Sequence, residues 1–526
     1  MYFDTLYRNG KIYTMDDAVP KADWVATKGG KIAALGNGVH NLIEAARTID
    51  LQGKVMFPGF IDSHMHGTPT GAYLGDFKVQ AAASVQEVID IVAEACKVTG
   101  SSWIFGSGLN ISGLIEGRGP SRQELDKVSG DHPVYIKNVT LHGCTINSKA
   151  YELVDIPKDM NGIVKDKAGI LTGEFSSDES TFYVSNIINS LLSDFEVEKY
   201  IKKCADFCVS QGLTTISGLD GGLFDKTDRD FFMWMNMKDM LPLHIVNFFQ
   251  NENVYLAMAL GLPRIGGCLC LDGAGFEGTM ATRDSYNNGP YPSGILYWTD
   301  ERLYKFLWTA NRNGLQTAMH ALGDAAIDQY LRVYERVYTE LGLQGNPNHN
   351  RIEHFTLVWP EQIDKAISLG LILSMQPMFT YQWENPNTEL GRGYELMLGK
   401  VRAERMEPFA EILSKGGIIA GGSDSPVTLT SPLNGIHAAC NLANQKKRIS
   451  VKDAIKLFTV NGAIANWQEN EKGSITVGKL ADLVVIDRDP FEEPELINQF
   501  IIEKTIVEDK VVYTKEAGVQ LDRVTF

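Results

Sequence analysis

The 526-residue sequence predicts an α/β protein built on a (β/α)8 TIM barrel. Short, almost continuously apolar segments alternate with amphipathic segments of helical period, which is typical of parallel strands covered by helices. Many of the 50 glycines directly follow an apolar segment, as tight strand–loop–helix transitions require. Eight such segments predict the eight barrel strands, at 57–66, 213–219, 243–249, 267–273, 315–321, 351–355, 371–377 and 418–424.

Helical patterns separate most of these segments. They lie at 195–212, 300–314, 323–342 and 359–370. The sequence marks both ends of the last of these helices, because proline is favoured in the first turn, at Pro360, and glycine is favoured just after the last turn, at Gly370.

The two chain ends differ from the middle of the sequence. Residues 1–57 and 472–526 contain short alternating strands, and Asn9-Gly10 and Gly29-Gly30 are dipeptides typical of hairpins. Each end is too small for a good core of its own, so we expect one composite β-sandwich built from both. The barrel then comprises 58–66 and 195–471. Residues 67–194, with a helix at 84–98 and strands at 101–108 and 133–138, form a large α+β insertion after strand one, over the active site.

Composition excludes several classes of function. The chain has 65 acidic and 49 basic side chains, a net charge of −16, which argues against a nucleic-acid partner. Seven cysteines do not form a disulfide scaffold, and no apolar run is long enough for a membrane span. The N-terminus lacks a signal-peptide pattern. We expect a soluble, cytoplasmic protein with a small-molecule ligand and no membrane partner.

The placement of the histidines predicts a metal site. His64 and His66 end the first strand and, two residues apart, point the same way. His320, His354 and Asp424 end strands five, six and eight, at the barrel end where active sites are built. Imidazoles with a carboxylate suit zinc or a similar ion. The competing interpretation is a set of unrelated core or surface histidines, which leaves five matching positions unexplained.

The sequence resembles the amidohydrolase superfamily, in its amidohydrolase-3 branch of YtcJ-like hydrolases. The resemblance covers nearly the whole chain. Its motifs are FPGFIDSHMHG (57–67), GLTTISG (212–218), DGAGFEGTMA (272–281), AMHALGDAAID (318–328), RIEHFTLV (351–358), SMQPMF (374–379), GGSDSPV (421–427) and the segment 458–490.

The resemblance implies a metal-dependent hydrolase that cleaves the C–N bond of an amide or N-acyl small molecule. It implies that His64, His66, His320 and His354 bind one or two divalent ions, expected to be Zn²⁺. Asp424 is implied to be both a ligand and the general acid/base for a metal-activated water. Ester or lactone hydrolysis, ring deamination, or a non-catalytic binding role of the same barrel are the alternatives. By analogy, a homo-oligomer is possible.

The sequence departs from the family at one position. Many members carry a metal-bridging carboxylated lysine in a Lys-x-x-x-Asp-Gly pattern, and Cys268 occupies that position here. Three interpretations stay open: Cys268 is itself a ligand, it lines a site for one metal ion, or it is a small core residue. Cys270 would share the face of Cys268 in a regular strand.

Substrate contacts are predicted from residues in strand-end loops and the insertion. The resemblance places His142 near the pocket, although a loop histidine without that role fits equally well. Apolar and aromatic side chains at these positions could wall a pocket, with core packing as the alternative. The candidates are Asn110, Trp103, Phe276, Met378, Tyr381 and Trp383, with Arg283 and Arg351 as carboxylate binders.

Two other carboxylates near the predicted site are expected to have structural roles. A regular strand points Glu353 away from His354, so we expect Glu353 to pack against the surrounding helices. Asp324 is expected to cap a helix N-terminus.

Overall fold

A computed structural model describes residues 2–38, 43–98, 103–157, 160–222, 228–383, 385 and 389–515. Within these ranges the strands form three sheets: one shared by the two chain ends, one inside the insertion, and the barrel. The barrel sheet positions the candidate site, and the other two pack around it.

The N-terminal strands form half of the sheet at the chain ends. They are β1 (Phe3–Tyr13), β2 (Lys21–Lys28), β3 (Lys31–Gly36), β4 (Ala45–Asp50) and β5 (Val55–Pro58). β2 and β3 pair antiparallel across Gly29-Gly30, as predicted. The hairpin predicted at Asn9-Gly10 is wrong. β1 runs through it, and the β1–β2 register shifts between Arg8 and Ile12 while Asn9 has φ 61°. A positive φ serves a β-bulge as well as a tight turn.

The insertion follows the first barrel strand, β6 (Phe60–Met65). Its six-stranded sheet has helices packed against it and its own apolar core around Val88, Leu125 and Ile136. The predicted α+β insertion is therefore confirmed as part of the fold. Its elements are α1 (Gly67–Tyr73), β7 (Phe77–Lys78), α2 (Val85–Val98), β8 (Ile104–Leu109), α3 (Arg122–Ser129), β9 (Val134–Asn138), β10 (Cys144–Ile146), α4 (Ser148–Val154), β11 (Ile163–Lys165), β12 (Leu171–Phe175) and α5 (Asp178–Leu191).

The barrel contains all eight predicted strands in chain order, each parallel to the next. This confirms the (β/α)8 prediction. The sheet closes where Met65 pairs with Ser425 and Asp424 N donates to His64 O over 2.8 Å. Gly422 permits this closure, because a Cβ there would lie 2.7 Å from the His64 Cβ. The remaining elements are α6 (Asp194–Ser210), β13 (Leu213–Asp220), α7 (Arg229–Met237), β14 (His244–Phe249), α8 (Val254–Ala259), β15 (Arg264–Cys270), α9 (Asp300–Arg312), β16 (Gln316–Ala321), α10 (Asp324–Leu341), β17 (Arg351–His354), α11 (Pro360–Ser368), β18 (Ile372–Met375), α12 (Pro377–Trp383), α13 (Glu389–Leu398), α14 (Lys400–Arg405), α15 (Phe409–Ser414), β19 (Ile418–Gly421), α16 (Pro432–Asn441), α17 (Val451–Leu457) and α18 (Val460–Ala465).

The C-terminal strands complete the sheet begun at the N-terminus. They are β20 (Leu483–Ile486), β21 (Ile502–Val507) and β22 (Lys510–Thr514), and β20 pairs antiparallel with β5. Tyr7, Val25, Met56, Leu483 and Ile506 from both ends share one buried core. The predicted composite structure of the two chain ends is thus confirmed, and its strands form one continuous sheet with this shared core. The exact domain boundaries stay predictions.

In the part of the chain that the structure describes, no helix combines the length and apolarity needed to cross a bilayer. The cytoplasmic location, the lack of a nucleic-acid partner and the possible homo-oligomer stay predictions.

Candidate metal centre and active site

The five residues placed at strand ends by the sequence meet at the C-terminal mouth of the barrel, and all are buried. His64 Nε2 lies 3.0 Å and His66 Nε2 lies 3.2 Å from the same atom, Asp424 Oδ1. The ring centroid of His354 lies 4.7 Å from that of His64 and 4.6 Å from that of His320. The barrel therefore gathers four imidazoles and one carboxylate from β6 and the residue after it, β16, β17 and the segment after β19.

Cys268 lies between the histidines. Its Sγ is 3.5 Å from His320 Nδ1 and 3.7 Å from His354 Nε2. Gly266 and Gly267 both have positive φ, and the β15–β16 register shifts between Gly266 and Cys270. Cys268 and Cys270 both line the cavity at the mouth, on one face as expected for residues two apart.

Potential ligand atoms fall into three groups, each lying within 4.8 Å: His64/Cys268/His354, Cys268/Cys270/His320 and His64/His66/Asp424. Cys268 belongs to two of these groups, which suits the ligand interpretation. Cys268 also contacts the apolar side chains of Leu219 and Phe248, which suits the two other interpretations, a residue that lines the site or a small core residue. Coordination by its sulfur stays a prediction.

The donor set fits a divalent metal ion. His64 Nε2 and Asp424 Oδ1 are buried and only 3.0 Å apart, yet neither has a hydrogen-bond partner among the described residues. Buried polar atoms of this kind are rare unless an ion or water satisfies them. Imidazole nitrogen, carboxylate oxygen and thiol sulfur are donors that zinc and similar ions accept.

A second set of contacts orients the histidines. His64 Nδ1 donates to Glu353 Oε2 over 2.6 Å, and His66 Nδ1 donates to the Leu219 carbonyl over 3.0 Å. His354 Nδ1 donates to Gln376 Oε1 over 2.9 Å. These contacts fix the tautomers and leave the three Nε2 atoms for a metal ion.

Glu353 corrects one expectation drawn from the sequence. It faces the barrel interior, where Arg351 Nε donates to it over 2.6 Å, instead of packing against the outer helices. His354 still reaches the site because its φ of 75° breaks the strand alternation. Burial favours the neutral acid, but Arg351 and His64 together lower the pKa of Glu353 to about 2. Arg351 is therefore committed to Glu353, and its predicted role as a carboxylate binder has no support in these contacts.

Charge in the centre follows from the same contacts. Burial alone would lower the pKa of His64, but Asp424 and Glu353 raise it to about 9. Burial would raise the pKa of Asp424, but His64 and His66 hold it well below its usual range. The lowered pKa keeps Asp424 ionised, as a ligand of a divalent ion must be.

A small cavity above the centre brings in one of the predicted substrate residues, His142. Its ring centroid lies 6.0 Å from that of His320. The insertion also contributes Thr140, Leu141 and Phe182, which sequence reasoning missed because no motif or period distinguishes them. The cavity is lined by His66, Thr140, Leu141, His142, Phe182, Cys268, Cys270, His320, His354, Asp424 and Val427.

The other predicted substrate residues do not line this cavity, and their role stays a prediction. Asn110 accepts a hydrogen bond from Ser112, Trp103 stacks on Phe105, and Met378 is buried. Phe276 packs against Trp383 and Tyr394, and the Tyr381 hydroxyl lies 3.4 Å from His437 Nε2. Arg283 forms ion pairs with Asp328 and Glu361 near the surface.

Comparison with known proteins agrees with this geometry. Residues 47–513 match the model of the Amidohydrolase family. The chain belongs to the amidohydrolase family. This amidohydrolase is 26% identical to the putative amidohydrolase YtcJ of Bacillus subtilis, covering 97% of this chain and 99% of that protein.

Two further relatives extend the comparison. The N-substituted formamide deformylase of Arthrobacter pascens is 24% identical, covering 93% of this chain and 94% of that protein. The crystal structure of an uncharacterized metal-dependent hydrolase from Pyrococcus furiosus has a TM-score of 0.74 at 24% identity, covering 93% of this chain and 99% of that one. The structural likeness supports the fold, and the family match makes this amidohydrolase a hydrolase.

Proposed function

We propose that this protein is a metal-dependent amidohydrolase that cleaves the C–N bond of an amide or N-acyl small molecule, with Zn²⁺ at one or two positions. The observation that carries the proposal is the convergence of His64 Nε2 and His66 Nε2 on Asp424 Oδ1 in a buried cavity. The likeness to an N-substituted formamide deformylase supports an amide-type substrate.

The reaction assigns separate roles to the residues of the site. A bound divalent ion supplies the Lewis acidity that polarises a substrate carbonyl and acidifies a water molecule. Asp424 accepts a proton from the attacking water and passes it to the leaving nitrogen. Glu353 and Gln376 hold the rings of His64 and His354, and Leu141 and Phe182 of the insertion line the cavity beside them.

The test combines metal analysis with an active-site variant. Purified protein should contain zinc and hydrolyse members of a panel of amides, esters and lactones. Asp424→Asn should lower kcat at least about 1000-fold on the amides, because the proton acceptor is lost. Asp364→Asn is the matched control, since Asp364 is an exposed carboxylate on the outer surface.

The outcomes separate the candidate reactions. Amine release that disappears in Asp424→Asn but persists in Asp364→Asn supports the proposal. Turnover confined to esters and lactones, or ammonia release from a ring, assigns another reaction to the same site. Protein without a transition metal whose activity is unchanged by Asp424→Asn contradicts the proposal.

A further inference from the structure

A groove of about 1060 Å³ lies between the insertion and the barrel, beside the cavity of the candidate metal centre. Two residues line both spaces: Phe182 from α5 of the insertion and Cys270 from the end of β15. The small cavity, of about 20 Å³, has room for little more than a carbonyl group, so the nitrogen of an amide and its substituent must extend past these two side chains. The groove is the adjoining space that can receive it.

The groove has flat apolar walls. Phe182 and Tyr183 come from the insertion, and Tyr291, Tyr297 and Trp298 come from the long segment between β15 and α9. Aromatic rings offer large contact areas and stack favourably against other planar groups. Aromatic side chains on two opposing parts of the protein favour a planar, apolar substituent between them.

The charged residues of the groove already have partners in the protein. Arg302 lies 2.8 Å from Glu252 and packs its guanidinium 3.9 Å from the Trp298 ring centroid. Glu179 accepts a hydrogen bond from Asn161 Nδ2 over 3.0 Å. Arg302 and Glu252 therefore form an ion pair with each other, and Glu179 accepts a hydrogen bond from a neutral amide. A charged substituent would have to compete with these contacts, whereas an uncharged one would leave them intact.

Gln250 adds a directed polar contact to the groove. It follows β14 and is fully buried, and its Nε2 donates to the Cys268 carbonyl over 3.4 Å. This contact sets the orientation of the side-chain amide, because a carbonyl can only accept. Gln250 Oε1 has no hydrogen-bond partner in the described part of the chain. A buried acceptor without a partner is costly, and a ligand N–H would satisfy it.

We propose that this groove binds a bulky, uncharged aromatic substituent of a secondary amide, and that Gln250 Oε1 accepts a hydrogen bond from the amide N–H. The proposal deepens the proposed function and depends on it for turnover, while binding in the groove can be measured without turnover. It makes Phe182 and Gln250 specificity-determining residues. The substrate class is then amides with an N–H and an aromatic group, instead of small or tertiary amides.

The first experiment measures substituent size. The zinc-loaded protein should hydrolyse N-benzylformamide with a kcat/KM at least about 30-fold above that for N-methylformamide. Phe182→Ala should reduce this ratio at least about fivefold, because one aromatic wall is removed. Phe195→Ala is the matched control, since this phenylalanine of α6 is 76% exposed, and it should leave the ratio unchanged. A wild-type ratio near one overturns the proposal.

The second experiment measures the hydrogen bond. Wild type should hydrolyse N-benzylformamide with a higher kcat/KM than N-benzyl-N-methylformamide, which lacks the amide N–H. Gln250→Leu should reduce the ratio of these two kcat/KM values about tenfold. Gln86→Leu, at an exposed position of α2, is the control. If Gln250→Leu lowers kcat/KM equally for both substrates, Gln250 has a structural role only, and its part in the proposal is overturned. If Gln250→Leu does not fold, the wild-type preference decides, and its absence overturns the hydrogen bond.

Failure of the proposed function gives a different result. If neither amide is turned over, calorimetric titration of N-benzylformamide and N-methylformamide into wild type and Phe182→Ala tests the groove directly. Binding of the benzyl compound that Phe182→Ala weakens at least about fivefold supports the groove. No binding of the benzyl compound to wild type overturns it. Asp424-dependent hydrolysis of both formamides at equal rates supports the function and overturns the groove.

Discussion

The candidate site has two parts that are built in different ways. The floor consists of the barrel residues at the metal centre with their hydrogen-bond partners, and the cover consists of the insertion residues Thr140, Leu141, His142 and Phe182. On the floor, His64 is held by Glu353, which is held in turn by Arg351, and all three side chains are buried. On the cover, His142 and Phe182 of the insertion are partly exposed. A buried floor whose side chains are oriented by hydrogen bonds, as His64 and Glu353 are, holds its ligand atoms in one geometry, which metal chemistry requires. A partly exposed cover on a separate subdomain can vary without disturbing that geometry, so we expect it to determine substrate choice.

The largest effect should come from breaking the floor. Arg351→Met leaves the Glu353 carboxylate buried with His64 as its remaining partner and without its arginine, and we expect the unfolding free energy to fall by about 3–5 kcal/mol. Urea unfolding of the metal-free protein measures this. Arg283→Met is the control, because its ion pairs lie near the surface and such pairs contribute about 0–1 kcal/mol.

The double variant Arg351→Met/Glu353→Leu should recover much of that loss, since no unpaired charge is then buried. If Arg351→Met lowers the unfolding free energy no more than Arg283→Met does, the contacts of the floor do not make it more rigid than the cover.

An intermediate effect should come from Cys268, which lies at the centre of the floor. Cys268→Ala should lower zinc affinity at least about tenfold, because a thiolate is a good zinc donor. Titration against a competing chelator measures the affinity. Cys204→Ala is the control, since Cys204 is an equally buried thiol in α6, away from the site. Unchanged affinity and turnover in Cys268→Ala would assign Cys268 to the lining or the apolar core.

The smallest effect should come from the cover. His142→Ala should raise KM for the preferred amide by roughly tenfold or less, the scale of one or two lost substrate contacts, while zinc content stays that of wild type. His132→Ala, another partly exposed histidine of the insertion, is the control. Loss of zinc in His142→Ala would place His142 on the floor and remove the distinction between the two regions.

The candidate site was predictable to different extents in these two regions. The positions of His64, His66, His320, His354 and Asp424 followed from strand ends, because parallel strands of a barrel present their carboxyl ends on one rim. Glu353 was assigned to the wrong face because strand alternation holds only for extended backbone, and His354 has φ 75°.

The cover was less predictable. Thr140, Leu141 and Phe182 carry no pattern of their own, and only the packing of the insertion over the barrel brings them to the cavity. Asn9-Gly10 shows the same limit on a smaller scale, since one dipeptide suits a hairpin or a bulge and the neighbouring strands select between them.

The sequence by itself determined the (β/α)8 barrel, the insertion after strand one, the shared sheet of the two ends and the candidate ligands, because these follow from periodicity and strand-end position. Only the tertiary structure decided how the ligands are oriented, where Cys268 lies relative to His320 and His354, and which residues line the groove beside Gln250. Those contacts join parts of the chain distant in sequence, and their geometry depends on local backbone φ and on packing between elements.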